Sequence, residues 1–267
     1  MPCKAVILAA GSGSRLSPLT PSIPKELLPV GGFPAIHHVV YEMAEMGVED
    51  ILIVLSEGKG SIRGYFTESI RAKGETALKM CARRASLLGR VRISFKIQKE
   101  RRGTGDAVLL AQDFAGADDL IVAYSDDLLT LDGIGGEPPL GLLEGEGVSS
   151  ILTRVVPGRE ACHYGVVFPE KTEESVMYVS SIREKPQDHP FDEAFVLVGR
   201  MRLTKECVAE IARHPLTDSA GITIALNEMA SRGRLVATVA RSDVYDVGTH
   251  EGYARTVRMV TAYDTEI

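Results

Sequence analysis

Arg15 and Lys25 stand ten positions apart in "AAGSGSRLSPLTPSIPKE" (9–26), directly after an apolar run and beside Gly11 and Gly13. Glycine lets backbone N–H groups come close to an anion, and an arginine can grip a phosphate through two hydrogen bonds. The residue types therefore allow a phosphate-holding loop. Two kinds of loop are excluded. A dinucleotide loop needs a third glycine at position 16, where Leu16 stands, and a Walker loop needs G-K-[ST], which is missing. On the glycine count alone, a tight strand-to-helix turn with two surface cations is the plainer reading.

A second chemistry-bearing group is Asp126 and Asp127 in "AYSDDLL", at the end of an apolar run. Hard divalent cations are held by one or two carboxylates together with substrate phosphates, so a strand-end aspartate is adequate for one. A solvated acidic turn is the competing reading, most seriously for Asp127.

The elements that must position these residues are legible from periodicity. "AVILAA" (5–10), "ILIVLS" (51–56), "VRISFKIQ" (91–98) and "LIVAYSDD" (120–127) read as strands, the first two as short runs of the kind buried on both faces of a parallel sheet. "AIHHVVYEMAEMG" (35–47) has helical spacing with a closing glycine, and "TGDAVLLAQDF" (104–114) reads as another helix. Such alternation predicts an α/β layered fold, in which ligands sit beyond the carboxyl ends of the strands. That rule places 9–15, 98–106 and 124–127 on one rim. Segment 67–90 reads as an inserted helical arm, and 131–141 as a Gly/Pro-rich loop. Later strands are expected near 149–156, 164–169, 176–183, 194–202 and 234–241. Helices are expected at 204–213, 221–232 and from about 250.

Bulk properties narrow the function classes. The formal charge of −6 argues against non-specific binding to nucleic acid or an anionic membrane, so any phosphate must meet local cations. Four cysteines far apart, with no C-x-x-C, make zinc and disulfide frameworks improbable and suit reduced thiols in a cytoplasm. No signal-peptide segment or membrane span is expected.

The stretch "KAVILAAGSGSRLSPLTPSIPKELLPVGGFPAIHHVV" resembles the sugar-nucleotide pyrophosphorylases, nearest to the bacterial UTP–glucose-1-phosphate uridylyltransferases, with their G-x-G-[ST]-R-[LM]-x-P-x-T and P-K-E-[LM]-L-P signatures. Their shared motif order continues over about 240 residues. The resemblance implies a nucleotide-diphospho-sugar transferase type fold: a Rossmann-like α/β arrangement with a mixed, mostly parallel central sheet flanked by helices. It also implies one nucleotidyltransferase domain over 1–267. Nucleotide binding would occupy about 1–130, sugar-phosphate binding about 131–250, and a C-terminal helix about 250–263.

Residue by residue, the resemblance implies that Ala10, Gly11, Gly13, Gln98 and Gly103 bind the nucleotide. A glutamine amide suits the pyrimidine edge, which uracil and thymine share. Asp126 and Asp246 would ligate Mg²⁺, the latter in "DVYDVGTHEGY" (243–253). Gly165 in "HYGVV", Glu184 in "IREKP" and Val198 in "VLVGR" would line a sugar site. Arg15, Lys25 and Lys185 would be the catalytic cations.

The implied reaction is Mg²⁺-dependent attack of a sugar 1-phosphate on UTP, giving UDP-glucose and pyrophosphate. dTTP and other sugar 1-phosphates stand as alternative substrates, and self-association into a homo-oligomer is left open. The family's acidic G-D-E-[IL]-Q-L-T-D stretch is altered here: in "LTDSAGITIALNEMA" Asp218 is kept, while Ser219, Gly221 and Ile224 stand for the following Glu, Gln and Asp. This bears on the sugar side and motivates an alternative, a catalytically silent nucleotide- or sugar-phosphate-binding regulatory module. A dinucleotide oxidoreductase is disfavoured by Leu16 and by the missing acidic residue about 20 positions beyond the glycines.

Overall fold

The computed structural model describes residues 4–69, 87–129, 131, 136–143, 145, 147–188, 191–215 and 220–264. In chain order the first half holds β1 (Lys4–Ala9), β2 (Pro29–Val30), β3 (Phe33–Pro34), α1 (Ala35–Glu45), β4 (Asp50–Ser56), α2 (Gly60–Gly64) and β5 (Arg92–Gln98). Next come α3 (Gly103–Leu109), α4 (Gln112–Ala115), β6 (Leu120–Tyr124) and β7 (Asp127–Leu128). The second half holds β8 (Ser149–Pro157), β9 (Gly165–Glu173), β10 (Val176–Glu184), β11 (Glu193–Leu203), α5 (Lys205–Ile211), α6 (Ala220–Ser231), β12 (Leu235–Val239), β13 (Tyr245–Asp246) and α7 (His250–Asp264).

The chain divides into two compact units, each discontinuous in sequence. Unit 1 comprises 1–101, 124–138 and 242–267; unit 2 comprises 102–123 and 139–241. In unit 1, β1 and β5 flank β4 in parallel, pairing Lys4 with Asp50 and Gln98 with Ser56. The β-branched and leucine side chains of β4 are buried on both faces, which is why that run lacks alternation. Helix α1 buries nearly every residue, including His37 and His38. Two small antiparallel ribbons complete the unit, β2 with β3 and β7 with β13.

In unit 2, β11 pairs antiparallel with β6, β8 and β9, β10 with β9 and β12, while β12 runs parallel to β8. Strands with one solvated face alternate, as the burial of β10 does, and β9 runs out into solvent at its end. Asn227 on α6 bonds both the N–H (2.7 Å) and the carbonyl (2.9 Å) of Ile182, so one amide fixes the helix against β10.

Two expected elements differ in detail. The helix expected over 104–114 is two, because Ala111 N–H donates to Val108 and tightens the turn between α3 and α4. The expected strand 120–127 stops at Tyr124, and Asp127 starts a separate ribbon. Most of the expected arm at 67–90 lies outside the described residues, as does part of the 131–141 loop. Among the described residues no helix is long and apolar enough to cross a membrane.

Candidate active site

After β1 the chain leaves the core at Ala10, 5% exposed, and turns through residues 11–15, all exposed except the half-buried Gly13. Gly13 has φ 69°, and a Cβ there would lie 2.8 Å from Thr20 Cγ2, so both backbone and space demand glycine. Thr20 Oγ1 donates to the Gly13 carbonyl at 2.8 Å and closes the loop. A single 3₁₀ turn, Ser14–Leu16, then sends Arg15 outward and Leu16 into the core. Position 16 is thus an apolar anchor, the physical reason for the missing third glycine.

Lys25 opens a second 3₁₀ turn, Lys25–Leu27, directly after Pro24. Its Nζ lies 2.5 Å from Asp126 Oδ2, and Arg15 Nη2 lies 3.9 Å from the same oxygen. Burial pushes the Asp126 carboxyl up, but the charge and hydrogen bond of Lys25, helped by Arg15, hold it below the ordinary aspartate value. Burial lowers Lys25, yet Asp126 overcomes this and raises it. Both groups stay charged across the neutral range.

Asp246 reaches this place through the ribbon of β7 and β13, where Asp246 pairs with Asp127 and Tyr245 with Leu128. The Val247 N–H donates to the Asp126 carbonyl at 2.8 Å, locking the two aspartate segments together. Asp246 Oδ1 accepts from the Gly248 N–H at 2.7 Å. A Cβ on Gly248 would lie 2.5 Å from Asp126 Oδ2, 3.0 Å from Asp246 Oδ1 and 3.3 Å from Arg15 Nη2. Both carboxylates and the arginine therefore face one point, and glycine keeps it open. His250 and Tyr253, on α7, bond the carbonyls of Ser17 and Pro29 and brace the loop from outside.

Beneath the loop, sequence reasoning missed a buried ion pair. Glu26 is fully buried, and Lys59, between β4 and α2, is 9% exposed. Lys59 Nζ donates to the carbonyls of Ala9 (2.8 Å) and Gly11 (2.7 Å) and to both Glu26 oxygens (2.8 Å). The signal available was the rim rule: β4 ends beside β1, so residues 56–60 belong to the same rim as 9–15.

Gln98 ends β5 and is a buried amide, 5% exposed. Gly103, in unit 2, starts α3 with φ 89°, a conformation that requires glycine.

Unit 2 gathers the remaining candidates. Gly165 pairs with Glu184 across β9 and β10, and a Cβ on Gly165 would lie 3.3 Å from Glu184 Oε1 and 3.0 Å from Leu197 Cδ1. Thr223 Oγ1, on α6, donates to Glu184 Oε1 at 2.7 Å. Lys185 is exposed and holds φ 42°, with its N–H donated to the Tyr164 carbonyl at 2.9 Å. Such a left-handed residue in a non-glycine position costs free energy and is found disproportionately at functional sites. Val198 is 1% exposed, so its side chain belongs to the core rather than to a surface. Asp218 and Ser219 lie outside the described residues; Gly221 and Ile224 fall on α6.

Comparison with known proteins agrees in extent with these motifs. A match to the nucleotidyl transferase family covers residues 4–262. A UTP–glucose-1-phosphate uridylyltransferase of Streptococcus pyogenes is 31% identical over 95% of this chain and 86% of its own length. One from Staphylococcus epidermidis is 30% identical over 99% and 94%. Among solved structures, a UDP-glucose pyrophosphorylase complexed with UDP-glucose superimposes with a TM-score of 0.83 at 29% identity, covering both chains fully. The UTP-bound enzyme from Acinetobacter baumannii gives 0.81 at 26% identity, over 100% of this chain and 95% of that one.

Proposed function

The chain belongs to the nucleotidyl transferase family, and on that premise we propose that it transfers the uridylyl group of UTP to glucose 1-phosphate, giving UDP-glucose and pyrophosphate. The observation that carries the reading is the convergence of Arg15, Lys25, Asp126 and Asp246 around the space left by Gly248. Two cations and two carboxylates at the mouth of a glycine loop suit a triphosphate accompanied by a divalent cation.

The reaction is an in-line displacement. An oxygen of the sugar phosphate forms a bond to the α-phosphorus of UTP, and the bond from that phosphorus to the bridging oxygen of pyrophosphate breaks. The nucleophile is already ionised near neutral pH, so no general base is needed. Catalysis reduces to positioning and to stabilising charge on the phosphoryl oxygens. Arg15 neutralises the departing pyrophosphate and Lys25 the α-phosphate region. In unit 2, Lys185 takes the sugar phosphate, and Glu184, aimed by Thr223, accepts from sugar hydroxyls.

The residues present fit Mg²⁺. Asp126 and Asp246 offer hard oxygen donors converging on one point, and a pair of carboxylates completed by substrate phosphates is the usual way this ion is held. When bound there, it would supply charge neutralisation at the phosphate oxygens.

The test is product identification. Incubation with UTP, glucose 1-phosphate and Mg²⁺ should yield UDP-glucose by mass spectrometry, in amounts equal to the UTP consumed. UTP consumption that gives free UMP or UDP and no UDP-glucose would refute the transfer.

A further inference from the structure

The buried lysine of unit 1 has no part in the chemistry described above, yet it bonds the glycine loop and the Lys25 turn directly. Lys59 Nζ has three protons, and three acceptors surround it: the Ala9 carbonyl, the Gly11 carbonyl and the Glu26 carboxylate. Glu26 follows Lys25 directly. It also accepts a longer bond, 3.4 Å, from Ser125 Oγ, and Ser125 directly precedes Asp126. The hub therefore ties the glycine loop, the Lys25 turn and the Asp126 segment from beneath.

The peptide bond is planar and trans, so a carbonyl and the N–H of the next residue point in opposite directions. With the carbonyls of residues 9 and 11 held on Lys59 in the interior, the N–H groups of Ala10 and Ser12 are turned away from it. Gly11 and Ser12 are exposed, whereas Ala10 and Lys59 are buried. Backbone N–H groups arrayed on one side of a loop form a concavity that binds anions. An ammonium underneath also removes the carbonyl lone pairs that would repel a phosphate.

We propose that Lys59 is a positioning residue, which pins the Ala9 and Gly11 carbonyls inward so that the loop presents its N–H groups to the triphosphate of the nucleotide. The proposal rests on reading residues 9–15 as the triphosphate cradle. Lys59 touches no reacting atom, and its effect is exerted through the loop. Burial pulls the Lys59 pKa down, and the Glu26 carboxylate partly restores it.

The experiment uses the full chain and three variants: Lys59→Met, Lys59→Arg and the double variant Lys59→Met with Glu26→Gln. The single methionine leaves Glu26 buried without a counter-charge, so a folding failure there is uninformative. The double variant removes both charges and keeps the shapes. Two quantities are read: the affinity for inorganic tripolyphosphate by calorimetry, and the separate KM values for UTP and glucose 1-phosphate. The double variant, checked for a native thermal transition, should bind tripolyphosphate about tenfold or more weakly. Its KM for UTP should rise in step, with the KM for glucose 1-phosphate little changed. Lys59→Arg keeps the charge but replaces a point donor by a planar fork, so it should recover little of the loss.

Equal tripolyphosphate affinity in the wild type and the folded double variant would overturn the proposal, as would wild-type protein that does not bind tripolyphosphate. So would a uniform fall of both affinities, which marks a purely structural role. If the wild type binds tripolyphosphate but makes no UDP-glucose, the uridylyl-transfer reading fails, and loss of binding in the double variant still sustains the role of Lys59.

Discussion

Lys25 Nζ sits 2.5 Å from Asp126 Oδ2, although the two residues are 101 positions apart in the chain. The lysine is thus positioned at the carboxylate that would hold a cation, inside a site whose second cation, Arg15, faces the same oxygen. Two roles meet in one contact. Asp126 holds the Lys25 pKa up and aims the ammonium, and Lys25 holds the Asp126 pKa down. Removing the lysine as Lys25→Met should lower kcat/KM by about 100-fold or more, the usual cost of deleting one donor to a transition-state oxyanion. Lys25→Arg should recover little, because a planar fork does not fit a place built for a point charge. Steady-state kinetics of the two variants checks both statements.

Gly248 has a backbone that any residue can adopt, so the space beside it alone decides what is tolerated. A methyl group there would press on Asp126, Asp246 and Arg15 together. Gly248→Ala should fold with a near-native thermal transition and lose at least about tenfold in kcat/KM, with a weakened response to Mg²⁺. A magnesium titration of activity compares the variant with wild type.

In unit 2 the bond from Thr223 Oγ1 to Glu184 Oε1, 2.7 Å, fixes one oxygen of the carboxylate that the proposed function assigns to the sugar. Thr223→Val is close in shape and deletes only that bond, worth about 1 kcal/mol. The KM for glucose 1-phosphate should rise roughly fivefold, with the KM for UTP unchanged. Varying each substrate at saturation of the other separates the two effects.

Cys207 illustrates a pH effect outside the site. Burial, helped by the nearby Glu210 and Glu206 carboxylates and against a hydrogen bond from Ser149, raises its thiol from the ordinary 9.0 to about 12. The folded state then holds the proton more tightly than the unfolded state. The associated stability is complete below pH 9.0 and is lost as pH climbs toward about 12. Chemical denaturation between about pH 8 and pH 10.5 should show wild type losing stability more steeply than Cys207→Ala, by up to about 1.4 kcal/mol per pH unit. Parallel slopes would contradict the assignment.

The parallel part of the fold was readable because β1 and β4 are apolar on both faces, and because the rim rule turns strand ends into site residues. The rim rule put Asp126 and the glycine loop on one rim, but their roles, like that of Asp246, depended on the motif order of the resemblance. Nothing local marks Asp246 as the partner of Asp126; the antiparallel ribbon of β7 and β13 brings it there. Lys59 and Glu26 were hidden for a different reason, although the rim rule reaches residues 56–60. "SEGKG" has the composition of a solvated turn, and a lysine becomes buried only when three distant segments close around it. Thr223 was obscured by the altered stretch around it, whose replaced acids are more conspicuous in the sequence than one hydroxyl. The split between α3 and α4 leaves no trace in the pattern, since apolar spacing runs straight through it.

The central claim, that this site joins UTP to glucose 1-phosphate, is tested most directly by pyrophosphate release. UTP, dTTP, ATP and GTP would each be combined with glucose 1-phosphate and with other sugar 1-phosphates, with Asp126→Ala in parallel. The account predicts fastest release from UTP with glucose 1-phosphate and dependence on both substrates. It also predicts a loss of about 100-fold or more in Asp126→Ala. Release from UTP at the same rate without any sugar phosphate, or undiminished release by Asp126→Ala, would contradict it.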